Sequence, residues 1–501
     1  MSSLLDNLML GFQTSLSLSN IGFCFVGCLL GTLIGVLPGL GPAATIAMLL
    51  PITFTLDPSA ALIMLAGIYY GAQYGGSTTA ILINLPGEAT SVVTAIDGYQ
   101  MARNGFAGKA LAAAAIGSFV AGSIATLAIA AFGPLLSAVS LSFGPAEYCA
   151  LMALGLVVSS VLAQGPLLRA FAMVIVGMLI GTVGIDVTSG YPRFSFGITE
   201  LSDGLNIVAV AMGLFGLAEI MRNLGDFQRR ELMATKLKGL FPSREDLRAI
   251  TAPVLRGSFI GTVIGVLPGG GALLSSFMAY AAEKRFAKDP SRFGKGAIEG
   301  VAAPEAANNA GAQTSFIPLL TLGIPSTAIM ALMAGAMIIQ GIRPGPGIVH
   351  EQPQLFWGLV TSMWVGNLIL LVLNLPLVGL WARLTTVKYD YLSLGIIAFC
   401  CIGVYTINGL PSDLLVMVVF GALGVIFIEL ECELTPLILG IILGPMFEEY
   451  LRRAMLLSQG DPSVFVTRPI SAVLLMMCVI AILLVTLPNF RKIRKEALQE
   501  E

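Results

Sequence analysis

Long apolar segments constrain this chain more than any other feature of its sequence. Most of its 501 residues lie in apolar stretches of roughly 17 to 25 residues, the length that a helix needs to cross about 30 Å of hydrocarbon. Charged residues make up only 11% of the chain, whereas soluble proteins contain roughly 25%. A transmembrane β-barrel would show alternating segments of about ten residues, and the sequence lacks this pattern. The sequence therefore predicts an all-α polytopic membrane protein.

The apolar stretches fall into two halves with a similar pattern. Residues 1–222 are predicted to form a first membrane repeat, 223–252 a basic linker, 253–450 a second repeat, and 451–501 a C-terminal helix and tail. The predicted membrane segments are 20–56, 59–83, 108–132, 145–163, 167–185, 205–222, 253–281, 312–341, 355–381, 391–408, 413–430, 434–447 and 470–488.

The basic residues predict which side of the membrane each loop occupies. They cluster at Arg229, Arg230, Lys236, Lys238, Arg244 and Arg248 in the linker, and at Arg491, Lys492, Arg494 and Lys495 in the tail. Positive loops stay in the cytoplasm, so the linker and the C-terminus are predicted to be cytoplasmic. Segment 253–281 has basic residues at both ends, so it enters and leaves on the same side, as a re-entrant hairpin or a close helix pair. Segment 20–56 does the same from outside, which makes the two repeats inverted and places 185–204 and 342–354 outside.

Each half carries the same glycine-rich motif inside its first membrane segment. Residues 31–41 read GTLIGVLPGLG and residues 261–271 read GTVIGVLPGGG, and nine of the eleven letters agree. The preceding glycines recur every four residues, at Gly27, Gly31 and Gly35 and at Gly257, Gly261 and Gly265. This spacing predicts close packing of two helix backbones. A Gly31→Ala change is expected to perturb only this packing and to be milder than Gly39→Val or Gly269→Val at the turns, which are expected to abolish uptake.

The Pro-Gly break that ends each motif is a candidate binding element. Pro38 and Pro268 each remove a helix donor and free carbonyl oxygens one turn earlier, which suit a cation. The arm after the break begins with unpaired N–H groups, which suit an anion. The predicted substrate-binding glycines are therefore Gly39, Gly41, Gly269, Gly270 and Gly271. The alternative is a kink that binds nothing.

A second pair of polar, proline-containing stretches lies downstream of each break, at 69–91 and 303–328. Ser77, Thr78 and Thr79 in the first are matched to Gln313, Thr314 and Ser315 in the second, and Ser326 and Thr327 follow a later proline. Polar groups at membrane depth are normally buried against a pathway, so these residues are further substrate-binding candidates. Ser and Thr also occur as simple helix-packing residues, which is the alternative. The two sets together predict a site between the halves.

Acidic and amide residues near these stretches are candidates for a coupling ion. They are Asn84, Glu88, Glu305, Asn308 and Asn309. Carboxylate and amide oxygens can hold Na⁺, and a carboxyl group can carry a proton, so the predicted coupling cation is Na⁺ or H⁺. The alternative is that both carboxylates cap helix N-termini. Few fixed cations lie near these positions, so an anionic substrate would be held by helix N-termini, hydroxyl groups and a bound cation.

The sequence gives little support for an enzyme. It contains one histidine, His350, and has neither a Walker A motif nor a Ser-His-Asp constellation. The seven cysteines lie in or beside apolar runs without a metal-binding pattern. We therefore predict no enzymatic activity, no cofactor other than the coupling cation, and no nucleic-acid partner.

Three long motifs resemble the large membrane subunit of the tripartite tricarboxylate transporters, the TctA family. They are GTLIGVLPGLGPAATIAMLLPITF (31–54), YYGAQYGGSTTAILINLPGE (69–88) and PEAANNAGAQTSFIPLLTLGIPSTA (304–328), and the resemblance extends over the chain. It implies a secondary transporter of the bacterial inner membrane that imports di- and tricarboxylates using an ion gradient. It also implies two partners, a small four-helix membrane subunit and a periplasmic solute-binding protein that docks on the outer loops. The alternative is an organic-anion carrier that works without a binding protein.

Overall fold

The computed structural model describes residues 4–37, 41–84, 87–163, 166–186, 189–223, 240, 242–267, 271–384 and 389–486. The first half contains α1 (Leu4–Ser15), α2 (Leu18–Gly35), α3 (Pro42–Leu49), α4 (Pro58–Ile83), α5 (Val92–Arg103), α6 (Ala107–Ser140), α7 (Pro145–Leu162), α8 (Leu167–Gly181), α9 (Ile207–Ala211) and α10 (Ala218–Asn223). A π-helix, Met212–Leu217, joins α9 to α10, and β1 (Gly184–Ile185) pairs with β2 (Pro192–Arg193) in an antiparallel hairpin.

The second half begins with α11 (Arg244–Gly265), α12 (Gly271–Phe286), α13 (Glu299–Thr314), α14 (Phe316–Leu322), α15 (Ala328–Ile339), α16 (Ile348–Glu351), α17 (Pro353–Asn374) and α18 (Val378–Leu384). It continues with α19 (Tyr389–Asn408), α20 (Pro411–Glu429), α21 (Leu434–Leu457), α22 (Val464–Thr467) and α23 (Pro469–Thr486). Short 3₁₀ helices cover Leu50–Thr55, Ala89–Ser91, Thr199–Leu201 and Pro290–Arg292.

The predicted all-α membrane protein is confirmed at this level. Within the described ranges, seven helices are long and apolar enough to cross a membrane: α2, α6, α7, α11, α17, α20 and α21. Many large apolar side chains on these helices face outward, as expected for surfaces that contact lipid. The inverted topology, the re-entrant hairpins and the repeat boundaries stay predictions.

The glycine spacing predicts close helix packing correctly. A Cβ atom at Gly27, Gly31 or Gly35 of α2 would lie less than 3.0 Å from backbone carbonyl oxygens of α4. The same holds in the second half, where Gly257, Gly261 and Gly265 of α11 press against the backbone of α13. We call these two contacts the glycine seams. The methyl group added in Gly31→Ala would meet the carbonyl oxygen of Ile68, so this change disturbs the seam directly. Whether it is milder than a valine at the turns stays a prediction.

α4 and α13 are the two central helices that the seams hold in place. α4 is buried from Ala60 to Leu82 and α13 from Gly300 to Thr314. Because each is enclosed on all sides by other helices, neither needs an apolar face toward lipid, and both can hold polar residues at membrane depth. This explains why the polar stretch before Ser315 is a regular helix.

The helices differ in extent from several predicted segments. Segment 69–91 is continuous helix as far as Ile83, so its break covers only the residues that follow. Segment 312–341 is instead the end of α13 followed by α14 and α15, with a break at 323–327. α11 begins at Arg244 inside the region assigned to the linker, because Ser243 and Asp246 form a capping box there. The sequence reading also missed α1, which packs against α17.

The elements after each break cross to the other half. The 3₁₀ helix Ala89–Ser91, which follows the break after α4, contacts α12, and α15, which follows the break after α14, contacts α3. Both α3 and α12 are the arms that follow a Pro-Gly break. The breaks of one half are therefore placed next to the arms of the other half, where a shared site can form.

Candidate functional site

Glu305 lies at the centre of a buried polar cluster that joins the two halves. Its side chain projects from α13 and is 1% exposed. The hydroxyl of Ser77 on α4 lies 2.8 Å from both carboxylate oxygens, and that of Thr94 on α5 donates over 2.5 Å. The hydroxyl of Ser118 on α6 lies 3.5 Å away. Three helices of the first half thus donate to one carboxylate of the second half.

The two adjacent amides are held on either side of this carboxylate. Asn309 Nδ2 donates to Ser118 Oγ over 2.7 Å and to the Glu305 carbonyl oxygen over 3.1 Å. Asn308 Nδ2 donates to Glu88 Oε1 over 3.2 Å, and Asn308 Oδ1 is buried without a partner in the described structure. Asn308 and Asn309 therefore connect Glu305 to the second acidic residue.

Glu88 lies in the break after α4 and is 7% exposed. Its Oε1 accepts a hydrogen bond from Thr90 Oγ1 over 2.5 Å as well as the bond from Asn308. Gly76 of α4 has no side chain here, and a Cβ atom would lie 3.0 Å from Glu88 Cγ. The described contacts of both carboxylates are made to side chains, which differs from the helix-capping alternative.

Among the residues that the structure describes, no basic side chain lies within ion-pair distance of Glu88 or Glu305. The ion pairs lie elsewhere, as between Arg256 and Glu283 or Arg468 and Glu147. Hydroxyl and amide donors alone hold the two carboxylates, and a charge in a low-dielectric site needs further compensation. The site therefore suits a mobile cation.

A second polar level lies farther along α13, at Gln313. Thr126 Oγ1 of α6 donates to Gln313 Oε1 over 2.9 Å, whereas Gln313 Nε2 is buried without a partner. Asn367 of α17 is also fully buried, and neither its Oδ1 nor its Nδ2 has a partner in the described structure. A Cβ atom at Gly122 would lie less than 3.0 Å from both amide nitrogens, so the two amides meet over this glycine.

The structure does not place Ser77–Thr79 level with Gln313–Ser315. Ser77 contacts Glu305, which precedes Gln313 by eight residues, or about 12 Å of helix at 1.5 Å per residue. The glycine seams show that the match is also offset along the helices, since Gly35 packs on Ala72 whereas Gly265 packs on Gly311. Gln313 therefore corresponds to Tyr74, three residues before Ser77.

Four predicted hydroxyl groups are bonded to carbonyl oxygens of their own helix. The hydroxyls of Thr78, Thr79, Thr314 and Ser315 donate to Tyr74, Gly76, Ala310 and Ala312, respectively. Each is buried. Such bonds are what the helix-packing alternative predicts for Ser and Thr. Of the matched trios, Ser77 contacts Glu305 and Gln313 contacts Thr126 across the halves, and the Ser315 side chain also interacts with Tyr69 of α4.

The remaining substrate candidates lie around the breaks. Gly41 is the N-cap of α3, and Gly271 begins α12 with φ +27°. A Cβ atom added to Gly271 would lie 3.0 Å from Thr327 Cγ2. Thr327 caps α15 by accepting from the Met330 N–H over 3.2 Å. Ser326 donates to the Ser315 carbonyl oxygen over 3.2 Å. Gly39, Gly269 and Gly270, with Pro38 and Pro268, lie outside the described residues.

Asn84 is the predicted ion ligand that lies apart from the others. It is exposed and ends α4 in the left-handed conformation, with φ 56°. Asn tolerates this conformation better than most residues, so a helix C-cap accounts for its presence.

Sequence reasoning missed five polar residues that complete the site. They are Thr94, Ser118, Thr126, Asn367 and Asn374. Each is an isolated polar residue in an apolar or mixed segment. Thr94, Ser118 and Thr126 have partners far away in the chain, whereas both Asn367 side-chain atoms and Asn374 Oδ1 have no partner in the described structure. The available signal was the spacing of Asn367 and Asn374 by seven residues, which places both on one face of α17.

Asp97 makes a further contact between the halves. This buried residue of α5 accepts hydrogen bonds from Tyr280 Oη over 2.9 Å and from the backbone N–H groups of Gly296 and Ala297 over 2.7 and 2.8 Å. These donors lie on α12 and on the loop before α13. The contact fixes α5 against the N-terminal end of α13. This position of α5 orients Thr94 toward Glu305.

The comparisons with known proteins follow the same motifs. Residues 21–439 match the family described as "Tripartite tricarboxylate transporter TctA family". The "Uncharacterized 52.8 kDa protein in TAR-I ttuC' 3'region" of Agrobacterium vitis is 58% identical over 501 residues, which is all of both chains. The "Uncharacterized protein in TAR-II ttuC' 3'region" of the same organism is 54% identical over 241 residues, covering 48% of this chain and all of the relative. No solved structure matches the chain.

Proposed function

The chain belongs to the tripartite tricarboxylate transporter TctA family, and on this premise we propose that it is the large membrane subunit of an ion-gradient-driven importer of di- and tricarboxylates. The resemblance found in the sequence motifs is thereby confirmed, and the chain is a multi-pass membrane protein and a transporter component. The substrate, the coupling ion, the partners and the inner-membrane location are the proposal.

One observation carries the proposal. Glu305 of the second half is buried and receives hydrogen bonds from Ser77, Thr94 and Ser118 of the first half. A carboxylate that depends on both halves loses its donors when the halves separate. A cation bound there therefore couples the relative position of the halves to its own binding, as ion-driven transport requires.

The substrate is held by neutral donors in this proposal. The unpartnered amides of Gln313 and Asn367 can donate to a carboxylate oxygen, and the start of α12 at Gly271 offers backbone N–H groups. Neutral donors hold an anion less tightly than arginine would, which permits its release on the far side. The described cavity beside Glu305 holds about 10 Å³, so the helices must move apart before a carboxylate can bind.

The outer face is proposed to dock a periplasmic solute-binding protein. Segment 185–204 exposes Tyr191 and Phe196, which are 75% and 84% accessible. Arg193 fixes the β1–β2 hairpin to α21 through Glu448, with an N–O distance of 3.0 Å. Exposed aromatic side chains on a fixed hairpin suit a protein interface. Loop 342–354 is the second proposed docking segment, and the small four-helix subunit is proposed to complete the complex.

Uptake by proteoliposomes tests this function. The chain, together with its small membrane subunit, is reconstituted with an inward Na⁺ or H⁺ gradient, and uptake of labelled citrate is measured with and without the binding protein. Accumulation that needs the gradient and the binding protein supports the proposal. Accumulation without the binding protein would favour the stand-alone carrier, and no uptake of a panel of di- and tricarboxylates would refute carboxylate transport.

A further inference from the structure

A small cavity lies between α4, α6, α13 and α17, next to Glu305. Its volume is about 10 Å³, which is close to the space that one water molecule or one small ion needs. The polar residues that line it are Tyr74, Ser77, Thr78, Ser118, Glu305 and Asn374. The cavity is therefore lined by side chains from both halves.

Two of the lining residues have buried oxygen atoms without a partner. Asn374 Nδ2 donates to the Leu370 carbonyl oxygen over 3.0 Å, so Asn374 Oδ1 is the free end of this amide. The hydroxyl of Tyr74 is also buried without a partner in the described structure. Both side chains are 4% exposed. Leaving buried oxygens unpaired is unfavourable, which indicates that something else binds them.

The charge at the cavity is a single negative one. Glu305 contributes one carboxylate, and no described basic side chain neutralises it. The described residues also contain no group of three His, Cys, Asp or Glu side chains that could hold a metal ion, as a divalent cation would favour. One carboxylate surrounded by hydroxyl and amide oxygens matches a hard monovalent cation.

We propose that this cavity binds one Na⁺ ion, with the Glu305 carboxylate as the charged ligand and Asn374 Oδ1 and the Tyr74 hydroxyl among its neutral ligands. Ser77 and Ser118, which already contact Glu305, complete the set. A proton alone would neutralise Glu305 but would leave Asn374 Oδ1 without a donor. Binding of Na⁺ is independent of the transported substrate, whereas its role as the coupling ion rests on the proposed function.

Thermal unfolding of the purified full-length chain measures this binding without transport. Because a ligand that binds only the folded state stabilises it, replacing KCl or choline chloride by NaCl at constant ionic strength is expected to raise the Tm in a saturable way. Equilibrium binding of radioactive sodium to the same preparation is expected to give one site per chain. Equal stability in all three salts, or stabilisation by low pH alone, would overturn the proposal.

Two substitutions on α17 form a matched pair. Asn374→Leu removes the proposed ligand and is expected to raise the Na⁺ concentration for half-maximal stabilisation by roughly tenfold to a hundredfold. Thr361→Val changes a residue of the same helix outside the cavity lining, where its hydroxyl bonds Ser15, and is expected to leave the Na⁺ response unchanged. An unchanged Na⁺ response in Asn374→Leu would refute its role.

The outcomes also separate this site from the proposed function. If Asn374→Leu does not fold, the sodium binding of the unaltered chain and its loss in Glu305→Gln decide the matter. A chain that binds Na⁺ but takes up no carboxylate would keep this site and overturn the transport proposal. A chain that takes up carboxylates without any Na⁺ binding would overturn this site and keep the transport proposal.

Discussion

α4 and α13 are packed in the same way but carry different chemistry. Each is buried along most of its length and lies against a glycine-bearing helix of its own half, α2 or α11. α13 carries Glu305, Asn308, Asn309 and Gln313, whereas the corresponding part of α4, 66–74, carries three tyrosines and Gln73. The two helices share the packing of their backbones. Of the two, α13 carries the buried acidic residue Glu305, whereas α4 carries none. A repeated scaffold can thus support an asymmetric site.

The largest expected effect concerns the shared feature, the glycine seams. Gly31→Ala and Gly261→Ala each place a methyl group less than 3.0 Å from carbonyl oxygens of the neighbouring helix, so both are expected to destabilise the protein by about 1–3 kcal/mol or more. The free energy of unfolding in detergent and the amount of protein in the membrane measure this. Gly22→Ala is the control, since a Cβ atom there meets nothing within 4 Å. Equal stability of all three variants would show that the seams are not under this constraint.

The next effect distinguishes hydroxyl groups that bond Glu305 from those that bond their own helix. Ser77→Ala removes a donor to a buried carboxylate, which is worth roughly 1.5–3 kcal/mol, and is expected to reduce uptake about tenfold or more. Thr79→Val is the matched control two residues later, because its hydroxyl bonds the Gly76 carbonyl oxygen and its side chain lies outside the cavity lining. Initial rates of citrate uptake compare the two. A larger loss in Thr79→Val would contradict the assignment of Glu305 as the centre.

A smaller effect is expected at the second polar level. Asn367→Leu removes an unpartnered amide that faces Gln313, so it is expected to weaken substrate affinity by roughly tenfold, the effect of losing about 1.4 kcal/mol. The concentration of citrate that gives half-maximal uptake measures this change. Thr361→Val on the same helix is the control, because the Thr361 hydroxyl bonds Ser15 at a distance from the site. Tighter citrate binding in Asn367→Leu would exclude the amide from substrate contact.

The smallest effect is expected at Asn84. Glycine adopts the left-handed conformation at least as readily as asparagine, so Asn84→Gly is expected to change the stability by a few tenths of a kcal/mol and to leave uptake unchanged. Uptake at limiting Na⁺ and at limiting H⁺ checks this. A raised requirement for either ion would restore Asn84 to the coupling-ion set.

The sequence predicts the parts of the site that local patterns encode. Glycines four residues apart predict the two seams, and the unusual polar runs identify Glu88, Glu305, Asn308 and Asn309, which the structure brings together. Tertiary packing decides the rest, since Thr94 and Ser118 lie 211 and 187 residues from Glu305 in the chain. A single serine or threonine in an apolar helix gives no sign of such a partner.

The wrong match between Ser77 and Gln313 has a similar cause. Both stretches contain small polar residues, but Ser77 follows Pro38 by 39 residues whereas Gln313 follows Pro268 by 45. Nothing in these residues fixes the three-residue offset between α4 and α13. The backbone contacts at Ala72 and Gly311 reveal it, because they depend on which carbonyl oxygen each glycine touches. Sequence similarity between repeats therefore locates the site without fixing its register.

The central claim is that Glu305 couples a cation to carboxylate movement, and comparing accumulation with exchange in Glu305→Gln tests it most directly. In proteoliposomes with an inward ion gradient, the unaltered chain is predicted to accumulate labelled citrate, and to exchange internal for external citrate when no gradient is applied. Because glutamine keeps the size of the side chain and one acceptor oxygen but not the charge, Glu305→Gln is predicted to lose gradient-driven accumulation while retaining exchange. Gradient-driven accumulation at the unaltered rate in Glu305→Gln would contradict the account.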